Sequence, residues 1–225
     1  MLDDPTFLLL DTIMISDTEK TQSEAATDKI RTLILSGTYR PGQPLRQEAL
    51  SGHLSISRTP LRHALQSLAE EGLVEAVGFK GARVAQPDLQ MVRDLFDMRL
   101  LLEPLALKSA LEHHTKLDFA KAEMALDAAD AERDLYKLSQ LNWEFHHALY
   151  RPSGRRTLMR TIEHLNRASA FAETIAKSIV VRSEKSAAEH RELLQACRNA
   201  DAHGAIDRLT EHLQLAYRDI QNTEY

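Results

Sequence analysis

A chain of 225 residues, 43 % hydrophobic and 27 % charged, holds enough apolar material for two modest cores, and the absence of any long apolar run excludes a membrane-spanning helix, so a soluble, cytoplasmic protein without a membrane partner is expected. The net charge of −5 does not exclude nucleic acid, because residues 25–85 carry eight basic side chains against five acidic ones while residues 1–24 set Lys20 against six acids. The single cysteine, Cys197, excludes a disulfide within the chain, and its helical spacing from Leu193 and Leu194 describes a buried, inert thiol.

Phe7 to Ile15 is the first apolar stretch, but Asp11 and Thr12 interrupt it and Asp3 and Asp4 precede it where a signal peptide needs basic residues. Residues 1–24 are therefore expected to be an N-terminal extension, either disordered or folded back on the body. From Ala25 to Ser36, Ile30, Leu33 and Ile34 recur at helical spacing and Gly37 stands where a left-handed cap ends a helix. Turn chemistry occupies Thr38 to Gly42, then Ala49, Leu50 and Leu54 mark a short second helix ending near Ser55. Ser57 is placed to cap a third helix, whose first turn tolerates Pro60 and whose stripe is Leu61, Ala64, Leu65 and Leu68.

Gly72 stops that helix, and Leu73 to Val77, a glycine-containing turn over 78–81, and Ala82 to Val84 describe a hairpin. Three helices and a hairpin are the order of a winged helix-turn-helix, assigned here to residues 25–86. Pro87 ends the strand and Asp88 is placed to cap the next helix, which puts a boundary there. Residues 87–225 show helical period throughout and no strand alternation, with helices expected near 89–112, 117–130, 133–150, 155–178, 183–199 and 202–220, and with Pro104 kinking or dividing the first. The fold class is mainly α, a winged helix-turn-helix followed by an all-α helical bundle.

With its leucine stripe inward, the third helix presents Arg58, Thr59, Arg62 and Gln66 outward, Arg58 and Arg62 one turn apart. An arginine so placed can donate two hydrogen bonds to O6 and N7 of guanine, and Ser57 or Thr59 can reach phosphates or base edges. Lys80 and Arg83 in the wing can hold phosphates while Gly81 permits close approach. By spacing alone, two arginines on a helix face describe a solvated surface equally well. The run Pro41-Gly42, Leu45, Leu54 to Leu65, Leu68, Glu71 to Val74 and Gly81 to Val84 resembles the signature of the GntR family of transcription regulators over about sixty residues. That resemblance implies DNA contacts at Ser57, Arg58, Thr59, Arg62 and Gly81. His63 and Arg46 depart from the family pattern, and with them the operator sequence.

His146, His190 and His212 lie on or beside apolar stripes of three separate predicted helices, and Asn142 is one turn before His146 on its face. Buried histidines of this kind are either hydrogen-bonded core groups or ligands. Residues 88–220 resemble the FCD ligand-binding domain of the FadR subfamily, where an Asp-x-x-Phe-His motif and two later histidines bind a divalent metal beside the effector pocket. The resemblance implies that Asn142, His146, His190 and His212 hold a divalent ion, zinc or a nickel-like metal given three imidazoles. Asn142 replaces the family's carboxylate with a neutral amide, which lowers intrinsic metal affinity and gives an anionic effector more to contribute. Arg99 matches the family's effector-facing arginine, and an internal ion pair with Glu103, one turn on, is the competing reading.

The expected function is a homodimeric regulator, binding a double-stranded operator and governed by a small carboxylate-type effector, with repression relieved by ligand. A metal-dependent hydrolase and a helical adaptor without DNA binding are the alternatives. Against the hydrolase, the sequence has no His-Glu-x-x-His pair, no Gly-x-Ser-x-Gly turn and no phosphate loop.

Overall fold

The computed structural model of the chain describes residues 21–76, 81–175 and 178–222, the side chains of 76, 174–175 and 178–184 excepted. Expectations for residues 1–20, for the tip of the hairpin and for Lys80 lie outside the described residues. The elements in order are α1 (Gln22–Leu35), β1 (Pro44–Leu45), α2 (Gln47–Leu54), α3 (Arg58–Glu70), β2 (Val74–Ala76), β3 (Ala82–Val84), α4 (Leu89–Ala110), α5 (Lys116–Ala131), α6 (Leu135–Tyr150), α7 (Arg156–Ile175), α8 (Ser178–Arg198) and α9 (Ala202–Gln221), with single 3-10 turns at Leu111–His113 and Arg151–Ser153.

Helix α1 begins three residues earlier than its apolar period indicates. Thr21 and Glu24 form a reciprocal cap, the Thr21 hydroxyl accepting from the Glu24 amide at 3.2 Å and the Glu24 carboxylate from the Thr21 amide at 2.8 Å. Gly37 stands just beyond the helix at φ +75°, a left-handed conformation that lets the chain turn away. Arg31 grips Glu71 in a two-pronged ion pair, 2.8 Å from Nε and 2.6 Å from Nη2, tying α1 to the end of α3. Leu61, Ala64, Leu65 and Leu68 of α3 are all buried, as its spacing predicts. Ser57 does stand at the N-cap position of α3, but its hydroxyl makes no capping bond there.

The sheet has three strands in the order β1-β3-β2, all antiparallel, with Val74 opposite Val84 and Leu45 opposite Ala82. Strand β1 was not expected, because two residues carry no alternation and the strand exists only through its pairing with β3. These elements close over a core of Ala26, Ile30, Leu45, Leu61, Leu68 and Val84, to which α7 contributes Phe171.

The remaining helices form the bundle. Helix α4 is capped by Asp88, whose side chain accepts from the Met91 amide at 2.7 Å, and packs on α7 and α9, while α5 pairs with α6 and α8 with α9. It runs unbroken through Pro104, so the division considered for it does not occur. Helix α8 starts at Ser178 rather than near 183. Phe145, Leu149, Tyr150, Ile162, Leu193 and Leu209 fill the main bundle core. Among the described residues no helix is long and apolar enough to cross a membrane.

Phe171 is 2 % exposed in a core otherwise built by the N-terminal elements. Phe171→Ala is expected to cost about 3–5 kcal/mol of stability, as large aromatic truncations do, and to quicken amide exchange in α1 and α3. Denaturant titration with exchange measurements tests this, and protection left unchanged in those helices would show that the contact is incidental.

Candidate functional site

Two features carry chemistry. The first is the outer side of α3, where Arg58, Thr59, Arg62 and Gln66 are exposed. Arg58 is 73 % exposed and its only described partner is Glu48 of α2, at 3.1 Å and 84 % exposed, an ion pair worth at most about 1 kcal/mol and easily exchanged for a phosphate or a base edge. Both guanidinium groups therefore face outward, on the side opposite the leucines. Gly81 precedes β3 at φ +114°, a backbone state strained for any residue with a side chain. Arg83 crosses to Glu75 at 2.7 Å on the hairpin surface.

The second feature is a cavity of about 110 Å³ in the bundle, lined among others by Arg99, Asn142, Asn166, Glu173, His190 and His212. His146, His190 and His212, from α6, α8 and α9, are buried and bring one nitrogen each to within 4.8 Å of the others. The helices thus unite three of the four residues singled out as metal ligands, and Asn142 faces the same cavity.

Outer partners decide which nitrogen each ring offers. His212 Nδ1 lies 2.8 Å from the Glu189 carboxylate, which only accepts, so Nδ1 carries the proton and Nε2 the lone pair. His190 sets Nδ1 at 3.5 Å from the Ser186 hydroxyl. The two Nε2 atoms of His190 and His212 meet at 3.2 Å, a contact that needs a proton or a cation between them. Zinc at about 2.1 Å from each imidazole nitrogen in tetrahedral geometry sets those nitrogens about 3.4 Å apart, so the triad would hold such an ion once its rings draw together by up to about 1.4 Å from their separation of at most 4.8 Å. The donor set suits a divalent transition metal: three neutral imidazoles with hydrogen-bonded outer nitrogens, and an amide oxygen within the same cavity.

Arg99 makes the internal ion pair with Glu103 and also stands on the cavity wall. Its Nε donates to Glu103 at 2.6 Å and its Nη1 lies 3.8 Å from Glu173, yet it also lines the cavity, stacked over Phe96 at 4.9 Å. The far oxygen of Glu103 accepts from the Tyr150 hydroxyl at 2.8 Å, and that hydroxyl also meets His146 Nδ1 at 3.0 Å. Burial, reinforced by the Glu103 charge, holds the Tyr150 phenol well above its ordinary pKa of about 10. Tyr150, Glu189 and Asn166 escaped the sequence reading, although Tyr150 sits one helical turn beyond His146 on the same face and was in principle legible. Cys197 is buried as expected, its thiol pushed up to about 12 by burial.

Residues 22–84 match the model of bacterial regulatory proteins of the gntR family, and residues 94–215 match the FCD domain. The HTH-type transcriptional repressor GlaR of Escherichia coli K12 is 30 % identical over 199 residues, covering 84 % of this chain and 90 % of that protein. The Glc operon transcriptional activator of the same strain is 28 % identical over 173 residues, 67 % of this chain and 68 % of its own. Among solved structures, a GntR transcriptional regulator from Rhodococcus sp. RHA1 superposes with a TM-score of 0.78 at 20 % identity, over 92 % of this chain and all of that one, and E. coli McbR/YncC with 0.75 at 21 %, over 90 % and 98 %. At these identities the structural likeness speaks for the fold alone.

Proposed function

The chain belongs to the gntR family of bacterial regulatory proteins and carries an FCD domain, and from that membership we propose a homodimeric operator-binding regulator that represses transcription until a small organic acid enters the bundle cavity. The matched families are transcriptional regulators and not enzymes, which removes the hydrolase alternative. The observation that carries the proposal is the outward pair Arg58 and Arg62, beside Ser57 and Thr59, on a helix whose other face is wholly buried. An adaptor without DNA binding would leave that face without purpose. Lys80 and Gly81 complete the contact as wing residues, and the reading module spans residues 25–86, the sensing module 87–225. One relative is named a repressor and another an activator, and repression is the sense proposed here.

Asn142, His146, His190 and His212 would hold a divalent metal, zinc or a nickel-like ion, which would supply positive charge and, by expanding beyond four ligands, a position for a carboxylate. Arg99 faces the anion from α4. A cavity of about 110 Å³ supports an acid of only a few carbons, since a protein void of about 150 Å³ already admits benzene. The FCD domain supports membership of the FadR subfamily, and a cytoplasmic location suits a protein that reads operators.

The homodimer is supported by α4, which leaves Met91, Met98, Leu101 and Leu105 exposed on one face at seven-residue and half-heptad spacings, Leu101 by 73 %. Each half of a near-palindromic site then receives one α3. The effect of ligand passes through α7, which lines the cavity with Asn166 and Ala170 and plants Phe171 in the core of the reading module.

Three outcomes test this. Arg58→Ala or Arg62→Ala is expected to weaken operator binding by about 1–3 kcal/mol and to relax base preference, whereas Lys80→Ala weakens all sequences evenly; fluorescence anisotropy on operator and scrambled duplex decides, and equal losses on both from all three would refute the assignment. Leu101→Glu should yield monomers in sedimentation velocity, and an unchanged dimer would move the interface elsewhere. Elemental analysis should find a divalent metal at neutral pH, held more tightly in Asn142→Asp and released on acidification as the imidazoles protonate; metal in neither form would return the triad to a core role.

A further inference from the structure

One buried chain of hydrogen bonds runs from the cavity wall to the back of the histidine triad. Arg99 Nε donates to Glu103 Oε1 at 2.6 Å, Tyr150 Oη donates to Glu103 Oε2 at 2.8 Å, and Tyr150 Oη meets His146 Nδ1 at 3.0 Å. All four side chains are buried, Arg99 at 3 % exposure and Glu103, Tyr150 and His146 at 0 %. The proton count along the chain fixes its direction.

Arg99 is a permanent cation, and against it Glu103 is a carboxylate with no proton of its own to give. Tyr150 has one proton and gives it to Glu103. Toward His146 the phenol can then only accept, so the proton of the neutral imidazole must reside on Nδ1 and the lone pair on Nε2. Nε2 is the nitrogen that faces the other two rings if the site is to close on an ion.

We infer that Tyr150, oriented by Glu103, is a positioning residue that locks His146 in its metal-binding tautomer. The inference rests on the metal reading given above for its consequence, though not for the tautomer itself. Hydrogen-bonded outer partners of this kind fix ring orientation and raise ligand basicity, and their loss typically costs about 10–100-fold in metal affinity. Glu189 does the same for His212 directly, by carboxylate. At His146 the carboxylate acts at one remove, with a phenol between, and the cation that anchors it is the residue that lines the effector cavity. Metal affinity and cavity chemistry therefore share Arg99.

The test uses Tyr150→Phe, which removes one oxygen and keeps the ring in the core. Long-range proton–nitrogen NMR on the metal-free full chain should show His146 as a single tautomer protonated at Nδ1 in the wild type and as a mixture in the variant. Zinc affinity, measured by competition with a chromogenic chelator, should fall about 10–100-fold in the variant. Wild-type His146 protonated at Nε2 would overturn the inference without reference to any variant, and so would a folded variant that keeps both the single tautomer and the wild-type affinity. Wild-type protein that shows the tautomer and its loss in the variant, yet binds no zinc, would overturn the metal reading and uphold the lock.

Discussion

A guanidinium that is 3 % exposed beside a carboxylate that is wholly buried is tolerable in an apolar interior only because each has the other. Removing either leaves an uncompensated buried charge, so the Arg99–Glu103 pair constrains everything packed around it. Both residues lie on α4, one turn apart, and the pair reaches α6 through Tyr150 and α7 through Glu173. The three helices must hold their mutual placement closely enough for these bonds to keep good geometry. Arg99 and Glu173 line the bundle cavity, so these bonds fix part of its wall.

The reading surface obeys the opposite economy. Its charges are exposed and its ion pairs weak, Arg58 to Glu48 and Arg83 to Glu75 both lying on the surface. Such partners can be exchanged for phosphate at small loss. The rigidity of α3 comes from its other side, where four buried apolar residues and the half-buried Arg31–Glu71 pair hold it against α1. A guanidinium on a rigid helix can present its donors to a base edge in fixed geometry, and fixed geometry is what discriminates one base from another.

The parts legible in the sequence are those with local periodicity. Leu61, Ala64, Leu65 and Leu68 declare α3, and Met91, Met98, Leu101 and Leu105 were visible as apolar residues though not as an outward face. His146, His190 and His212 each betrayed burial by the company they keep along their own helices. That they converge depends on how α6, α8 and α9 pack, which no local spacing encodes. Strand β1 was invisible because two residues have no period, and the start of α1 was missed because it is set by the Thr21–Glu24 cap rather than by apolar spacing. Helix α8 begins in a run of β-branched residues, Ile179 to Val181, whose propensity speaks against helix, which is why its apolar period points to a start near 183. Spacing places Tyr150 on the face of His146, but the carboxylate that orients it lies 47 positions away and no local pattern announces it.

Helix α7 is where the two surfaces meet. Ala170 lines the cavity and Phe171, the next residue, sits in the core of the reading module, so adjacent side chains on one helix face different compartments. A second cavity of about 380 Å³ opens between the modules, with Arg31, Leu73, Tyr136, Trp143, Asn166 and Phe171 on its walls. Ser139, Asn166 and Ala170 line both cavities and form the partition between them. A helix is stiff along its axis, and a packed core admits discrete arrangements more readily than gradual ones. An occupant of the inner cavity would meet α7 at Asn166 and at Ala170, the latter one residue from the aromatic side chain that α7 plants in the core beneath α1 and α3.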